Sequence, residues 1–388
     1  MPRFGTSRYS MATRWLLGAG LLAQLCASEL LRGTRSGGRL KVAYAIFVTD
    51  LQSQDWQDAM AIMAHGLQKA KARSRHDATA LVLAPTRLPD EARDMLLSFG
   101  FDDVVRRPVP VPLAEIQSEV ARSEMGHTQG TGKGLTFALE EETIKYWGMS
   151  LTQFDRVAVL DADTIVLDPM DELMELPDDF VGTYDHGLDC CGSRIPPVQG
   201  GFLLFRPNAT DFENVKALTR EGDWSGAGWK NSHVGYWYGG IGPDGLLQYY
   251  FNKDALEKLP PIQIEHRELE EGIAKPSQPG SRMKVVDRDV YDVLLTDRLT
   301  RDLKDRDLAT VARGVKAAHF TGNCMKPWSC VDVDPSRPGM GLCDALHARW
   351  GEMWAEIAAK RLGGSPAAVS GSYCKDGRYV DLPAVPKP

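Results

Sequence analysis

The segment Arg156-Val-Ala-Val-Leu160-Asp161-Ala162-Asp163-Thr164 is a continuous apolar run that ends on two carboxylates two positions apart. Successive residues of a strand point to opposite faces, so Asp161 and Asp163 share one face. Two like charges there are costly unless a proton or a cation lies between them. Hard divalent ions suit such a pair, Mn²⁺ and Mg²⁺ above all, with phosphate oxygens completing the coordination. Four D-x-D strings occur in the chain, the others being Asp287/Asp289, Asp305/Asp307 and Asp332/Asp334, and only Asp161/Asp163 directly follows an apolar run. The competing reading is a solvated turn whose aspartate caps the next element.

A second segment, His319-Phe-Thr-Gly322-Asn-Cys-Met-Lys326-Pro327-Trp328, follows the run 315–318, which is apolar apart from Lys316. A neutral imidazole is a ligand for transition ions, and joined to two carboxylates it favours Mn²⁺ over Mg²⁺. Gly322 allows close backbone approach, and Lys326 can meet a phosphate as a point charge on a turn stiffened by Pro327-Trp328. Taken singly, His319 reads equally well as a structural histidine and Lys326 as a solvated surface charge.

These groups need elements to bring them together. From residue 40 onward, β-rich runs at 42–49, 80–84, 104–105 and 156–160 alternate with helical spacing at 55–71, 90–99 and 140–147. Such alternation predicts an α/β fold of parallel βαβ units, with ligands at the carboxyl ends of the strands. The order then loosens into a strand at 200–205, a Gly/Trp/Tyr-rich stretch at 222–242, and a surface loop at 269–284 carrying Lys275-Pro276 and Pro279-Gly280. An amphipathic helix at 343–361 and a Gly/Pro-rich tail close the chain. The expected organisation is a leader at 1–38, one α/β domain at 39–335, and a C-terminal helix with tail at 336–388.

Composition sets the bounds. The 388 residues carry 45 basic and 52 acidic side chains, a net charge of −7, with 43% hydrophobic and 25% charged residues. That balance excludes a basic nucleic-acid-binding surface as a property of the whole chain, though not a small basic pocket for a phosphorylated ligand. Arg3, Arg8 and Arg14 precede an apolar run from Trp15 to Leu31, broken by Gln24, Ser28 and Glu29. The pattern reads as a signal peptide, with a signal-anchor and a buried N-terminal helix as the alternatives. Setting Cys26 aside with the leader leaves Cys190, Cys191, Cys324, Cys330, Cys343 and Cys374, with no C-x-x-C spacing among them. Disulfides in an oxidising lumen are the favoured reading and buried free thiols the alternative, with the pairing left open. Asn208-Ala209-Thr210 is an N-glycosylation sequon just past a strand end. Together these features predict a glycoprotein of the secretory pathway, in the Golgi or ER lumen or secreted, touching a membrane only through an uncleaved leader.

V-A-V-L-D-A-D-T-I-V-L, followed by Asp171-Glu172-Leu173, resembles family eight of the retaining glycosyltransferases, the glycogenin-like group. Further matches are Q-G-G-F-L-L-F-R-P-N at 199–208, G-P-D-G-L-L-Q-Y-Y-F at 242–251, H-F-T-G-x-x-x-K-P-W at 319–328, and A-Y-A-I-F-V-T-D running into the helix through His65. The resemblance covers about residues 41–361 and rests on the order of the motifs. It implies a GT-A fold, Rossmann-like, with one catalytic domain on a mixed, mainly parallel sheet. It also implies transfer of a hexose or hexuronate from a UDP-sugar to a hydroxyl of a glycan or glycoprotein, with the anomeric configuration retained. Carried over by position, Asp161, Asp163 and His319 would hold Mn²⁺ (Mg²⁺ is the second candidate) against the diphosphate. Gly322 and Lys326 would contact the same phosphates. Phe47, Val48 and Thr49 would lie against uracil and ribose, with Leu160 and Ala162 beside them. Gln199, Gly200 and Gly201 would line the sugar pocket, with Asp244, Gln199 and Lys326 as the catalytic set.

Three departures stand out. The family's Asp-Gln-Gly is Pro243-Asp244-Gly245 here, the spacing before Lys326 is one residue longer, and the usual lysine of the preceding helix is Thr143, with Lys145 nearby. The shifted Asp244 and Thr143 motivate an alternative, an inactive lumenal sugar-binding relative. A second alternative, a haloacid-dehalogenase-type phosphatase using Asp161, leaves the His319 segment without a role. The aromatic residues of 224–238 are expected in the core, with stacking on acceptor sugars as the other reading.

Overall fold

The computed structural model describes residues 38–126, 128–130, 136–185, 197–237, 239–256, 280–294, 312–322, 324–331, 340–365 and 373–384. The leader with Cys26, Cys190 and Cys191, the D-x-D strings at 305–307 and 332–334, Tyr238, and most of the 269–284 loop lie outside the described residues. Leu40–Pro388 forms one compact unit.

The first half follows the predicted alternation: β1 (Lys41–Phe47), α1 (Gln54–Arg73), β2 (Asp77–Pro85), α2 (Asp90–Phe99) and β3 (Asp103–Arg107). α3 (Glu119–Met125) and a small hairpin, β4 (Thr128–Gly130) with β5 (Thr136–Ala138), come next. The helix expected at 140–147 is instead one α turn, α4 (Leu139–Glu142), followed by a 3₁₀ segment, Thr143–Ser150. A side chain on Gly148 would come within 2.7 Å of Val159 and 3.0 Å of Phe205. Tight seating on the sheet, not local propensity, shapes this stretch. β6 (Arg156–Asp161), β7 (Thr164–Val166), α5 (Asp171–Met174), β8 (Phe180–Tyr184) and β9 (Val198–Phe205) follow. The Asp171-Glu172-Leu173 motif serves the frame: the Asp171 carboxylate accepts from Ser74 Oγ at 2.6 Å and Arg75 N at 2.8 Å, tying down the end of α1.

Seven strands form one sheet in the order β12-β8-β9-β6-β1-β2-β3. β12 (Met283–Val286) occupies the end of the expected 269–284 loop and pairs in parallel with β8, with Met283 and Val286 buried on opposite faces in the two core clusters. β9 runs antiparallel to both its neighbours, β6 and β8, within an otherwise parallel sheet. The α/β fold on a mixed, mainly parallel sheet is therefore present.

Both faces of β1 are covered, which explains its unbroken apolar sequence. Ala43, Ala45 and Phe47 enter one core cluster, while Val42, Tyr44 and Ile46 enter the other. α1 covers the second face through Met60, Met63, Ala64 and Leu67. α6 (Ala209–Glu221) and α7 (Pro243–Leu256) cover the first with Phe212, Val215, Leu246 and Phe251. α6 begins at Asn208, whose exposed side chain accepts from Thr210 N at 2.8 Å, and ends at Gly222 in the left-handed region. Between these helices the hairpin β10 (Trp224–Ser225) and β11 (Gly228–Trp229) sends its aromatics inward. Trp229 and Trp237 are buried, and the indoles of Trp229 and Trp224 donate to Gly240 O and Gly235 O at 3.1 and 2.6 Å. Core packing is their role.

After β12, Asp287 caps α8 (Arg288–Tyr291) by accepting from Asp289 N at 2.9 Å, so this D-x-D string is a cap. β13 (Ala317–His319) and α9 (Met340–Leu362) complete the frame, with Trp350, Met353 and Trp354 of α9 in one cluster with Ala59 and Ile62 of α1. Disulfides join Cys324 to Cys343 on α9 and Cys330 to Cys374 in the terminal hairpin of β14 (Cys374–Lys375) and β15 (Arg378–Tyr379). These four cysteines follow the disulfide reading. Among the described residues, no helix is long and apolar enough to cross a membrane.

Candidate active site

β6 delivers Asp161 at its carboxyl end, and a tight turn into β7 brings Asp163 beside it. β7 pairs antiparallel with β13, His319 opposite Thr164, and Phe320 N donates to Asp163 O at 2.9 Å. Two short strands thus clamp the histidine onto the acidic turn. His319 Nε2 lies 3.1 Å from Asp163 Oδ1 and 4.0 Å from Asp161 Oδ2. One ligand atom from each of the three residues falls within 4.8 Å of the others.

β9 leaves room for them. Leu160 pairs with Phe202, so Gly201 comes level with Asp161. A Cβ on Gly201 would sit 2.5 Å from His319 Cε1 and 2.8 Å from both Asp161 Oδ2 and Gln199 Oε1. Any side chain there would fill the space the three donors face. Oxygen and imidazole donors around a cleared cradle fit a hard divalent ion such as Mn²⁺ or Mg²⁺, whose remaining positions another ligand must supply. Gln199 Oε1 accepts from Gly201 N, which fixes that side chain at the rim.

Each carboxylate also has its own lysine. Lys326 follows a turn that Gly322 makes at φ 67°. Its Nζ lies 2.6 Å from Asp163 Oδ2, 3.2 Å from Phe320 O and 5.6 Å from the Trp56 ring centre. Lys145 Nζ lies 2.6 Å from Asp161 Oδ1, pairs with Glu142 and donates to Gly200 O at 3.1 Å, 5.0 Å above the Phe47 ring. Thr143 itself is buried and donates to Glu140 O. Lys145, two residues further on, is the cation that meets Asp161.

Electrostatics follow from these pairs. Burial alone would raise Asp163, but His319 and Lys326 outweigh it and hold the carboxylate well below its usual range. Burial alone would lower His319, but Asp163 and then Asp292 outweigh it and keep the imidazole protonated well above its ordinary value. Lys145 is likewise raised, Asp161 and Glu142 overcoming its burial. A cation entering the cradle competes with a proton on His319 and an ammonium on Asp163.

The other expected residues are placed less uniformly. Phe47 stands level with Asp161 at the carboxyl end of β1, and Thr49 follows it half-exposed. Val48 and Leu160 bury their side chains in the core, so only their backbone is available to a ligand; Ala162 lies in the acidic turn. Asp244, in the first turn of α7, lies beside Gly200, its Cβ 3.6 Å from where a Cβ on Gly200 would be. Burial, with smaller contributions from Glu142 and Asp185 against Lys145, pushes its carboxyl up to about 7.

A raised carboxyl pKa stabilises the fold most below the unfolded value, and that contribution is lost as pH rises through the folded value. Asp244→Asn should therefore stabilise the ligand-free protein at pH 8 by about 2–4 kcal/mol, with the gain shrinking toward pH 4. Urea unfolding across that range checks it, and parallel stability curves for the two proteins would refute it.

Glu142 and Asp292 escaped the sequence reading. Glu142-x-x-Lys145 has the spacing of a helical ion pair and was legible in principle; Asp292 reaches the site only through tertiary structure.

No protein-family model and no curated protein matches the chain. Among solved structures it is similar to the bifunctional glycosyltransferase WbbM, at 12% identity over 76% of this chain with a TM-score of 0.42. The chain spans about half of that protein, 48% of its length. It is also similar to the galactosyltransferase LgtC in complex with donor and acceptor sugar analogues, at 12% identity over 79% of this chain and 95% of that one, TM-score 0.42. Mouse xyloside xylosyltransferase 1 is a further similar structure, at 15% identity over 73% of this chain and 98% of that one, TM-score 0.40.

Proposed function

We propose that this protein is a Mn²⁺-dependent retaining glycosyltransferase of the GT-A type. On this reading it moves a hexose or hexuronate from a UDP-sugar to a hydroxyl of a glycan or glycoprotein in the secretory pathway. The observation that carries the reading is the convergence of Asp161, Asp163 and His319 on the space that Gly201 leaves clear at the carboxyl end of β6. The motif order and the two disulfides support it.

A bound divalent ion supplies Lewis-acid stabilisation of the diphosphate leaving group. The rest falls to the chain. Asp163 stays ionised because His319 and Lys326 together outweigh its burial, and Lys145 pairs with Asp161. Lys326, on a turn backed by Pro327 and Trp328, places a second positive charge where negative charge grows as the glycosidic bond breaks. Asp244, titrating near 7 beside Gly200, suits hydrogen bonding to sugar hydroxyls better than standing as a permanent nucleophile. Same-face attack by the acceptor hydroxyl, its proton passing to the departing phosphate, accounts for retention without a covalent intermediate. Gln199, fixed at the rim by Gly201 N, orients the sugar.

A panel of nucleotide sugars, assayed for hydrolysis with and without Mn²⁺, tests this. Turnover of a UDP-sugar that chelation stops is the expected result. Absence of turnover across the panel would favour the inactive sugar-binding relative, and cleavage of simple phosphomonoesters instead would favour the phosphatase.

A further inference from the structure

We infer that Asp292 is the positioning residue that turns the metal-binding face of His319 toward Asp161 and Asp163. The inference rests on the metal-site reading above and concerns a residue outside every motif noted in the sequence.

His319 is held between two carboxylates. Nε2 faces Asp163 at 3.1 Å, and Nδ1 lies 3.3 Å from Asp292 Oδ1 on the opposite side of the ring. Asp292 directly follows α8 and is wholly buried. Its other oxygen, Oδ2, accepts from Thr183 Oγ1 of β8 at 2.8 Å, which sets the plane of the carboxylate. The backbone fixes the separation as well. Asp292 N donates to Arg288 O at 3.0 Å, Val293 N to Ala317 O at 3.1 Å, and His319 N to Val293 O at 3.0 Å. Asp292 and His319 are therefore carried on segments laced directly to one another.

Among the described residues, neither Asp292 Oδ1 nor His319 Nδ1 has a hydrogen-bonding partner other than the facing atom of the pair, although both are buried. A buried polar atom without a partner is costly, so each of these two is left to be satisfied by the other. The carboxylate can only accept, so the proton belongs on Nδ1. A neutral ring with that proton has its lone pair on Nε2, the atom that faces the acidic pair. The opposite tautomer would set two lone pairs against each other at Asp292 and aim an N–H at the cation. A carboxylate behind a ligating imidazole also increases the basicity of the ligand.

The test uses Mn²⁺ alone, with no sugar donor, titrated calorimetrically into the full chain. Asp292→Ala should weaken Mn²⁺ about 10–100-fold while circular dichroism stays unchanged. Asp292→Asn, which keeps an acceptor at Oδ1, should restore affinity to within several-fold of the natural protein. In parallel, ¹⁵N spectra of the His319 ring in the natural protein loaded with diamagnetic Zn²⁺ should show the proton on Nδ1 and the metal on Nε2. Undiminished Mn²⁺ binding by Asp292→Ala, or ligation through Nδ1, would overturn the role of Asp292 and leave the metal site standing. Absence of Mn²⁺ binding by the natural protein would overturn both. Should Asp292→Ala fail to fold, the ring spectrum decides alone.

Discussion

Asp163→Asn is expected to weaken Mn²⁺-dependent UDP binding by at least about 100-fold while the chain remains folded. Asp163 is shared by two of the site's three cationic groups, accepting from Lys326 and facing His319 Nε2. An amide of the same shape keeps the packing but replaces the anionic ligand with a weaker neutral oxygen, so the donor set falls from two negative charges to one. Removing one partner of a buried charge pair costs about 3–5 kcal/mol when the other charge stays in place. Here His319 can shed its proton, which burial already favours, so the loss is smaller. The sign of the pH dependence is fixed. The depressed Asp163 stabilises the fold above the unfolded carboxylate value of about 4, and that contribution disappears as pH falls. The raised His319 stabilises it fully below the unfolded imidazole value of about 6.5, and that contribution disappears as pH rises through the folded value. Both are present between roughly pH 4 and 6.5, so the stability deficit of Asp163→Asn should be largest there. Calorimetry of UDP with Mn²⁺, and urea unfolding at pH 5.5 and 9, measure the two effects. Unchanged UDP affinity would refute the site, and a deficit that grows toward pH 9 would refute the charge assignment.

What could be read from the sequence, and what could not, divides by the range of the interaction. Asp161 and Asp163 are legible because a buried strand and the turn that ends it are local, and hydrophobic runs report burial directly. The bounds of α2 agree with the spacing because Asp90 and Glu91 open the helix and Gly100 closes it in the left-handed region, all within a dozen residues. His319 and Lys326 were legible as a motif, but their placement depends on β13 pairing with β7, some 150 residues earlier in the chain, which no local pattern encodes. The role of Gly201 depends on β9 running against its neighbours. An alternating α/β pattern predicts parallel strands, and nothing in Q-G-G-F-L-L-F announces the reversal that sets the glycine opposite Asp161. The Thr143–Ser150 segment departs from its helical spacing where Gly148 seats against Val159 and Phe205, and Lys145 within it faces Asp161. In three dimensions Lys145 rather than Thr143 faces Asp161.

Lys326→Met should separate the two halves of the site. The Lys326 ammonium holds Asp163 Oδ2 at 2.6 Å and lies 5.6 Å from the centre of the Trp56 ring, which packs edge-on against Trp328 at 5.1 Å. Methionine keeps an unbranched apolar side chain of similar length and deletes the charge. Without the ammonium, Asp163 has one fewer competitor, so affinity for Mn²⁺ alone should rise several-fold. Turnover of the nucleotide sugar should nonetheless fall by roughly 10²–10³, because a positive charge aimed at the growing negative charge of the leaving group is lost from the transition state. Lys326→Arg should recover little, since a rigid planar fork cannot take the place of a point charge on a turn already stiffened by Pro327. A purely structural lysine would move both readouts the same way, and a lysine acting only on the metal would leave turnover at saturating Mn²⁺ unchanged. Tighter metal with slower turnover is the one pattern that assigns Lys326 to the leaving phosphate. Calorimetry with Mn²⁺, paired with steady-state kinetics at saturating metal, distinguishes the three outcomes.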